Sequence, residues 1–485
     1  MKKISFIILI ISTLLIPALA KEAFPEPSST GRQPVSSAVE APMEIPTPVA
    51  ESPSTSGKEW VPPLWSVLGF AGMLLSLAIM PLVKGHWWQS NLHKGYVSIF
   101  FGIPLATYLL INAPMELERA MIEYVSFIVL LGSLFYISGG IFLKGNIEAT
   151  PRNNLIFLAV GSLMASVAGT TGAAMLLIRP IIRANSERKH VAHTIIFFIF
   201  LVCNIGGSLT AVGDPPLFVG YLRGVPFTWT FNLWKEWLFA VGILLIIYYC
   251  FDKYQYNREE MRDIALDKKH RMPLSLKGKI NLLWLLGVIA AIFFLTPQNI
   301  AGWLGPGASR YFLREIAMVL LAILSHYTTP HGVREAHSFS IDPIIEVAVI
   351  FAAIFVTMTP ALLLLDARGG QLGIAKPWQF YWLTGGLSSF LDNTPTYIVF
   401  FELGKCVSAH GGPLVAGMPE RILQAISVGA VFMGANTYIG NGPNFMVKAI
   451  AEENGIKMPS FIGYMAWSVG ILIPIFIMVT FLFLL

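Results

Sequence analysis

Apolar segments of near-spanning length fill most of this chain, and this feature limits the folds open to it more than any other. They run in series from residue 60 to residue 485, with polar loops between them. Hydrophobic residues make up 55% of the chain and charged residues 13%, against roughly 25% charged in soluble domains. Because a helix satisfies its own backbone in lipid, the sequence predicts an all-α polytopic membrane protein.

The first residues predict a processing signal and a tail. Residues 1–20 combine Lys2 and Lys3, an apolar run and small residues ending at Ala20, which is the layout of a secretory signal peptide. An uncleaved signal anchor is the alternative. Residues 21–58 are rich in Pro, Ser and Glu and predict a disordered tail, which either reading places on the extracytoplasmic side.

A basic linker divides the rest into two halves. Residues 252–279 are rich in Lys and Arg, which the positive-inside rule assigns to the cytoplasm. They separate a first transmembrane repeat, residues 59–251, from a second, residues 280–485. If the segments 155–178 and 378–403 are re-entrant hairpins, each half crosses an odd number of times and the second repeat is inverted. If both segments cross, the repeats are parallel, but the basic residues of 179–189 would then lie outside.

One polar stretch interrupts the apolar segment 378–403. Asp392 and Asn393 precede Thr394 and Pro395, where a spanning helix should carry no charge. Pro395 suits the first position of a helix, with Thr394 as its N-cap, so we expect a helix that begins at depth in the membrane. Irregular backbone at that depth is found where it packs in protein or lines a watery cavity. The stretch therefore predicts part of an ion or substrate site.

Related breaks occur at three other places. Residues 166–175 align without gaps with 389–398, and residues 207–216 align with 434–443. Each break has Gly, Asn, Asp or Thr before a new helix. A half-helix that starts there points free N–H groups at the site, whereas the preceding half ends in free carbonyls. Such a site could hold an anion or a cation.

Three motifs resemble the ion transporter superfamily: DNxP at 392–395, GDPP at 213–216 and GxNxxIGNGPN at 434–444. The nearest groups are sodium/proton antiporters of the NhaD kind and the related citrate (CitMHS-like) and arsenite permeases. The resemblance implies inverted repeats, each with a re-entrant hairpin and a discontinuous helix, an elevator-like alternation of access and often a homodimer. It also implies the ion- or substrate-binding residues Asp392, Asn393, Thr394, Thr170, Thr171, Thr210, Asp214, Asn436, Asn441 and Asn444.

The sequence departs from the antiporter pattern in its first half. Gly169 and Thr170 stand where such antiporters carry an acidic-amide pair, and Leu217 occupies the position matched to Asn444. The resemblance alone therefore does not predict that two ions bind in each transport cycle.

Two carboxylates have different predicted roles. Asp392, held out of water, could bind either a proton or Na⁺ and so exchange them, with a cap on the half-helix as the alternative. Asp214 directly precedes Pro215, so a structural capping role is at least as well supported as ion binding. Thr396 and Thr437 add neutral oxygens suited to a hard cation. Glu346 is a candidate proton relay, with an interfacial position as the alternative.

The favoured function is Na⁺/H⁺ antiport by a secondary transporter of the bacterial inner membrane, with Na⁺ at Asp392 and Asn393. The alternative is Na⁺- or H⁺-coupled transport of citrate or another dicarboxylate, with half-helix N-termini holding the anion. An intramembrane enzyme that uses Asp214 and Asp392 as acid and base is disfavoured, because both residues sit in repeat elements.

The expected partners follow from this assignment. They are lipid and a small ion or small-molecule substrate, with no nucleic acid, no cofactor beyond Na⁺ and H⁺ as transported or coupling ions, and a second copy in a homodimer.

Overall fold

A computed structural model describes residues 60–485 except 89, 262–266, 268–271, 306–311, 338 and 408–412. The predicted signal peptide (1–20) and tail (21–58) lie outside the described residues. Contacts join Pro62–Leu485 into one unit.

Helices make up nearly all regular structure in the described residues. Several start with proline in the first turn, where the missing N–H has no intrahelical partner in any case. In chain order they are α1 Val67–Val83, α2 Gly85–Trp88, α3 Asn91–Asn112, α4 Pro114–Ser138, α5 Pro151–Ala168, α6 Thr170–Ala184, α7 Ala192–Leu201, α8 Pro215–Leu222, α9 Trp234–Tyr256, α10 Ile280–Phe294, α11 Pro297–Leu304, α12 Leu313–Thr328, α13 Asp342–Arg368, α14 Pro377–Ser388, α15 Asn393–Lys405, α16 Glu420–Met433, α17 Gly442–Glu453 and α18 Phe461–Val479.

Within the described residues, seven helical stretches are long and apolar enough to cross a membrane. α10 and α11, which meet at an angle of 74°, would together form an eighth. These stretches confirm the prediction of an all-α polytopic membrane protein. The seven are Leu64–Pro81, Asn91–Asn112, Pro114–Ser138, Ala192–Leu209, Phe227–Tyr256, Asp342–Leu372 and Phe461–Leu484.

Two pairs of short helices meet at breaks inside the segments predicted as hairpins. α5 and α6, the first hairpin, are joined by Gly169 alone, and α14 and α15, the second hairpin, by residues 389–392. The helices of each pair pack against each other. Gly169 has a φ of +77°, a conformation that residues with a Cβ rarely adopt. The one-residue connection therefore depends on glycine.

Two further helices are interrupted where the sequence predicts. In the first broken helix, α7 is followed by a 3₁₀ turn at Ile205–Leu209 and then by α8. In the second, α16 is followed by a 3₁₀ turn at Gly434–Asn436 and then by α17. Each half of the chain thus contains one hairpin and one broken helix.

The hairpin and the broken helix of each half are joined by the same hydrogen bond. Thr210 Oγ1 donates to the carbonyl of Ser166, and Thr437 Oγ1 donates to the carbonyl of Ser389 at 2.5 Å. These residues occupy matched positions in the alignment of the two halves. The shared contact supports an internal duplication, while the inverted relation of the halves stays a prediction.

In each broken helix, glycines at matched positions let two backbone segments approach each other closely. A Cβ added to Gly213 would lie 2.0 Å from the carbonyl oxygen of Gly207, and one added to Gly440 would lie 2.5 Å from that of Gly434. Any larger residue at Gly213 or Gly440 would force the backbone apart. The breaks therefore require glycine for close approach.

The region predicted as a linker, residues 252–279, is partly built into regular structure. Its first residues belong to the last turns of α9. Strand β2 (Met272–Lys277) pairs antiparallel with β1 (Phe142–Asn146), which comes just before the first hairpin. A second small pair joins β3 (Leu414–Val415) to β4 (Met418–Pro419).

A buried ion pair connects the loop after the first hairpin to the end of α9. Arg188 Nη2 donates to Asp252 Oδ1 at 2.6 Å, and the two side chains are 3% and 0% exposed. His193 Nε2 lies 2.8 Å from the same oxygen. Arg188 thus has a partner inside the protein, so its charge is a weaker guide to membrane orientation than its sequence position indicates.

We expect Asp252→Asn to lower the free energy of unfolding by about 1.5–3 kcal/mol, because it removes the closer of the two buried carboxylates beside Arg188 and leaves Glu259, 3.8 Å away, as the remaining counter-charge. Thermal unfolding of the detergent-purified protein measures this loss. Glu116→Gln is the matched control, since Glu116 pairs with Arg119 at 2.8 Å on an exposed surface and such pairs contribute about 0–1 kcal/mol. Equal shifts in the two variants would contradict the prediction.

Candidate ion and substrate site

All four breaks line one cavity of about 430 Å³. Its remaining walls come from α1, α2, α3, α4 and α13 and are largely apolar, with Leu77, Phe127, Leu134 and Phe351 among them. Small-molecule sites span roughly 300–1,000 Å³. The cavity therefore has room for a small organic ion.

Each break places a helix N-terminus at this cavity. Thr170 opens α6, Pro215 opens α8, Asn393 opens α15 and Gly442 opens α17, and all four residues line the cavity. The N-terminal end of a helix carries a partial positive charge from its aligned peptide dipoles. Four such ends around one space favour an anion such as a carboxylate.

Asp214, in the first broken helix, is bonded by side chains from the other three breaks. Its carboxylate accepts hydrogen bonds from Thr170 Oγ1 at 2.7 Å, Asn393 Nδ2 at 2.5 Å and Asn441 Nδ2 at 3.3 Å. The donors come from the first hairpin, the second hairpin and the second broken helix, and Asp214 itself is 1% exposed. One buried carboxylate thus holds all four breaks together.

Asp392 has the capping role predicted as its alternative, whereas Asp214 does not cap through its side chain and Thr394 is not the N-cap. Asp214 occupies the N-cap position of α8, but its side chain makes no capping hydrogen bond because it is turned towards the three donors. Asp392, not Thr394, is the N-cap of α15 and accepts from the N–H of Thr394 at 3.1 Å. Pro395 consequently lies inside the first turn of α15 and does not open it.

Asp392 differs from Asp214 in its access to the cavity. Asp392 is partly exposed and lines the cavity wall, whereas Asp214 is buried and is not among the residues that line the cavity. Thr171 also lines the cavity. The carboxylate predicted to bind a cation is therefore placed where a small ion could reach it.

Asn393 and Asn441 have the orientation that a cation would require. Their amide nitrogens donate to Asp214, and both residues line the cavity. Asn393 Oδ1 accepts a long hydrogen bond from Thr394 Oγ1, at 3.4 Å, and keeps a second lone pair for a cation. Amide and carboxylate oxygens are ligands that a hard cation accepts. Among the described residues, no cluster of three or more His, Cys, Asp or Glu is placed to hold a metal. A bound Na⁺ would thus depend on Asp392 and neutral oxygens.

The other predicted site residues bond to backbone carbonyls or, for Asn436, to a neighbouring hydroxyl. The Thr396 hydroxyl donates to the Asp392 carbonyl at 3.0 Å, and Asn436 Nδ2 donates to Ser389 Oγ at 2.9 Å. Asn444 Nδ2 donates to the carbonyls of Gly434 and Thr437, each at 2.9 Å. Thr210 and Thr437 join broken helix to hairpin, as described above. None of these five predicted residues is among the cavity-lining residues of the described chain.

Asn204 is a part of the site that sequence reasoning missed. It is fully buried, donates to Asn444 Oδ1 at 2.7 Å and accepts from Asn441 Nδ2 at 3.3 Å. It thereby joins the two broken helices directly. An asparagine inside the apolar run of residues 194–221 is the signal that could have revealed it.

Glu346 lines the cavity together with a lysine that was also missed. Lys94 Nζ lies 2.7 Å from Glu346 Oε1, and both residues line the cavity. Lys94 lies in the first turn of α3 and Glu346 in the second turn of α13. The predicted proton relay is therefore half of an ion pair, and the cavity contains a cationic side chain.

We expect Thr170→Val to destabilise the protein by about 1–3 kcal/mol, because it removes a hydrogen bond to a buried carboxylate. Thr171→Val is the control, since Thr171 lies next in sequence and lines the cavity but has no side-chain bond to Asp214 among the described contacts. Thermal unfolding of both purified variants provides the comparison. A shift in Thr171→Val as large as that in Thr170→Val would contradict the assigned role.

Comparison with known proteins identifies the family. No curated protein matches the chain significantly. A family model, CitMHS_2, described as "Putative citrate transport", matches residues 59–484. That description favours the predicted alternative, citrate transport, over Na⁺/H⁺ antiport. The match covers nearly the whole chain, and this multi-pass membrane protein therefore belongs to the CitMHS_2 family.

Proposed function

We propose that this protein is a secondary transporter of citrate or a related carboxylate, driven by Na⁺ or H⁺. The observation that carries the proposal is the convergence of four half-helix N-termini on one cavity, which suits an anionic substrate. The family description names the same substrate class. The transporter acts in the bacterial inner membrane, with lipid, its substrate and the coupling ion as partners.

Charge in the cavity explains why a coupling ion is needed. The charged side chains on the described lining are Lys94, Glu346 and Asp392, one cation against two carboxylates. A substrate with two or three negative charges adds to the excess in a cavity with largely apolar walls, where uncompensated charge is costly. Binding of Na⁺ or H⁺ together with the substrate restores the balance.

Asp392 is the proposed position of the coupling ion. It is the carboxylate that lines the cavity beside Asn393 and Asn441, whose amide nitrogens donate to Asp214. Asn393 Oδ1 accepts from Thr394 Oγ1 at 3.4 Å and keeps a second lone pair for a cation. Na⁺ would bind among these oxygens, or a proton would bind Asp392 itself. Asp214 supports the site by orienting both amides.

Na⁺/H⁺ antiport, the favoured prediction from sequence, would use less of the site. Exchange of two cations at Asp392 requires the carboxylate and its neighbouring oxygens. It gives no role to the converging helix N-termini or to Lys94, both of which favour an anion. Carboxylate transport uses all of these groups.

We expect proteoliposomes containing the protein to accumulate labelled citrate when an inward Na⁺ or H⁺ gradient is imposed. A pH-sensitive dye inside the vesicles should report no collapse of a preset pH gradient on adding Na⁺ without citrate. Collapse with Na⁺ alone, together with no uptake of citrate or other carboxylates, would establish antiport and overturn the proposal.

Asp392→Asn should abolish gradient-driven accumulation of citrate, because the coupling ion loses its carboxylate. Asp366→Asn is the matched control, since Asp366 is exposed near the end of α13 and lies outside the cavity lining. Gradient-driven uptake at the normal level in Asp392→Asn would exclude this residue as the coupling site.

A further inference from the structure

The two side chains of the ion pair between Lys94 and Glu346 differ strongly in exposure. The Lys94 side chain is 4% exposed and that of Glu346 is 42% exposed, although both residues line the cavity. Lys94 Nζ also lies 5.9 Å from the centroid of the Trp88 ring, another residue of the lining. The carboxylate of Glu346 thus covers an ammonium group that is otherwise enclosed by protein.

A buried ammonium group requires a counter-charge. Leaving a buried charge unpaired is strongly destabilising, so Glu346 can leave Lys94 only when another anion takes its place. A carboxylate is the replacement closest in shape and charge. Because Glu346 is the exposed partner, it is the one that an incoming group can displace.

Two kinds of positive group line the cavity. One kind is the set of half-helix N-termini at Thr170, Pro215, Asn393 and Gly442, and the other is Lys94. Lys94 comes from α3, which packs against α13 and contains none of the breaks. A substrate with one carboxylate can satisfy only one kind of group at a time.

We propose that Lys94 binds a second carboxylate of the transported anion, displacing Glu346, and that the site thereby selects di- and tricarboxylates over monocarboxylates. The inference rests on the proposed function and names its substrate class. One carboxylate lies at the helix N-termini and another pairs with Lys94. In the absence of substrate, Glu346 is the internal counter-ion that keeps Lys94 paired.

The test compares wild type with E346Q and the double variant K94Q/E346Q, with citrate, succinate and acetate as probes. The double variant removes both charges, so the net charge of the cavity is unchanged. We expect its apparent affinity for citrate and succinate to fall about tenfold or more, as for the loss of a buried charge partner, with little change for acetate. K448Q is the control, because Lys448 pairs with Glu452 at 2.8 Å outside the cavity lining.

E346Q provides a readout that does not need transport. It leaves Lys94 without its internal partner, so the variant should unfold at a lower temperature and citrate should restore more stability than in wild type. Acetate at the same concentration should restore less. This measurement keeps the inference testable if the double variant fails to fold.

Three results would overturn the inference. The double variant could keep the wild-type preference for citrate over acetate, or E346Q could gain no more stability from citrate than wild type does. Either result, with citrate transport intact in wild type, removes the role of Lys94 and leaves the proposed function standing. If wild type neither binds nor transports any carboxylate, both the inference and the proposed function fail.

Discussion

The site depends on one buried carboxylate that accepts hydrogen bonds from three separate parts of the chain. Asp214 accepts hydrogen bonds from Thr170, Asn393 and Asn441, and removal of any donor leaves a buried acceptor unsatisfied, which is costly. The interaction therefore does more than position Asp214. It fixes the tips of both hairpins relative to both broken helices, and so fixes where four helix N-termini point.

These contacts give the two carboxylates different roles. Asp214 uses its oxygens within the protein, whereas Asp392 caps its own half-helix through the N–H of Thr394 and still lines the cavity. The first hairpin, which has Gly169 and Thr170 where the second has Asp392 and Asn393, contributes a hydroxyl in place of an amide donor. The loss of the acidic-amide pair in the first hairpin is thus matched by a carboxylate in the first broken helix.

Local chemistry was enough to locate the breaks, but not to orient the side chains at them. Glycine, proline and short polar residues mark the positions where a helix cannot continue, and the breaks occur there. The direction of Asp214 depends on Asn393 and Asn441, which lie 179 and 227 residues away, so no local rule could predict it. The same holds for Lys94, whose partner Glu346 lies on another helix, and for Arg188, whose charge is neutralised by Asp252.

The three donors to Asp214 also set an order for biosynthesis. When the first half has entered the membrane, Thr170 is already present, but Asn393 and Asn441 are not yet made. At about 5–20 residues per second, the 227 residues between Asp214 and Asn441 take roughly 10–45 s to synthesise. Asn393 is made after 179 of these residues, so the carboxylate lacks two of its three partners for most of the interval and one of them until its end. The first broken helix therefore cannot reach its final state before the second has been inserted. The site therefore assembles late, and both halves of the chain reach their final structure together.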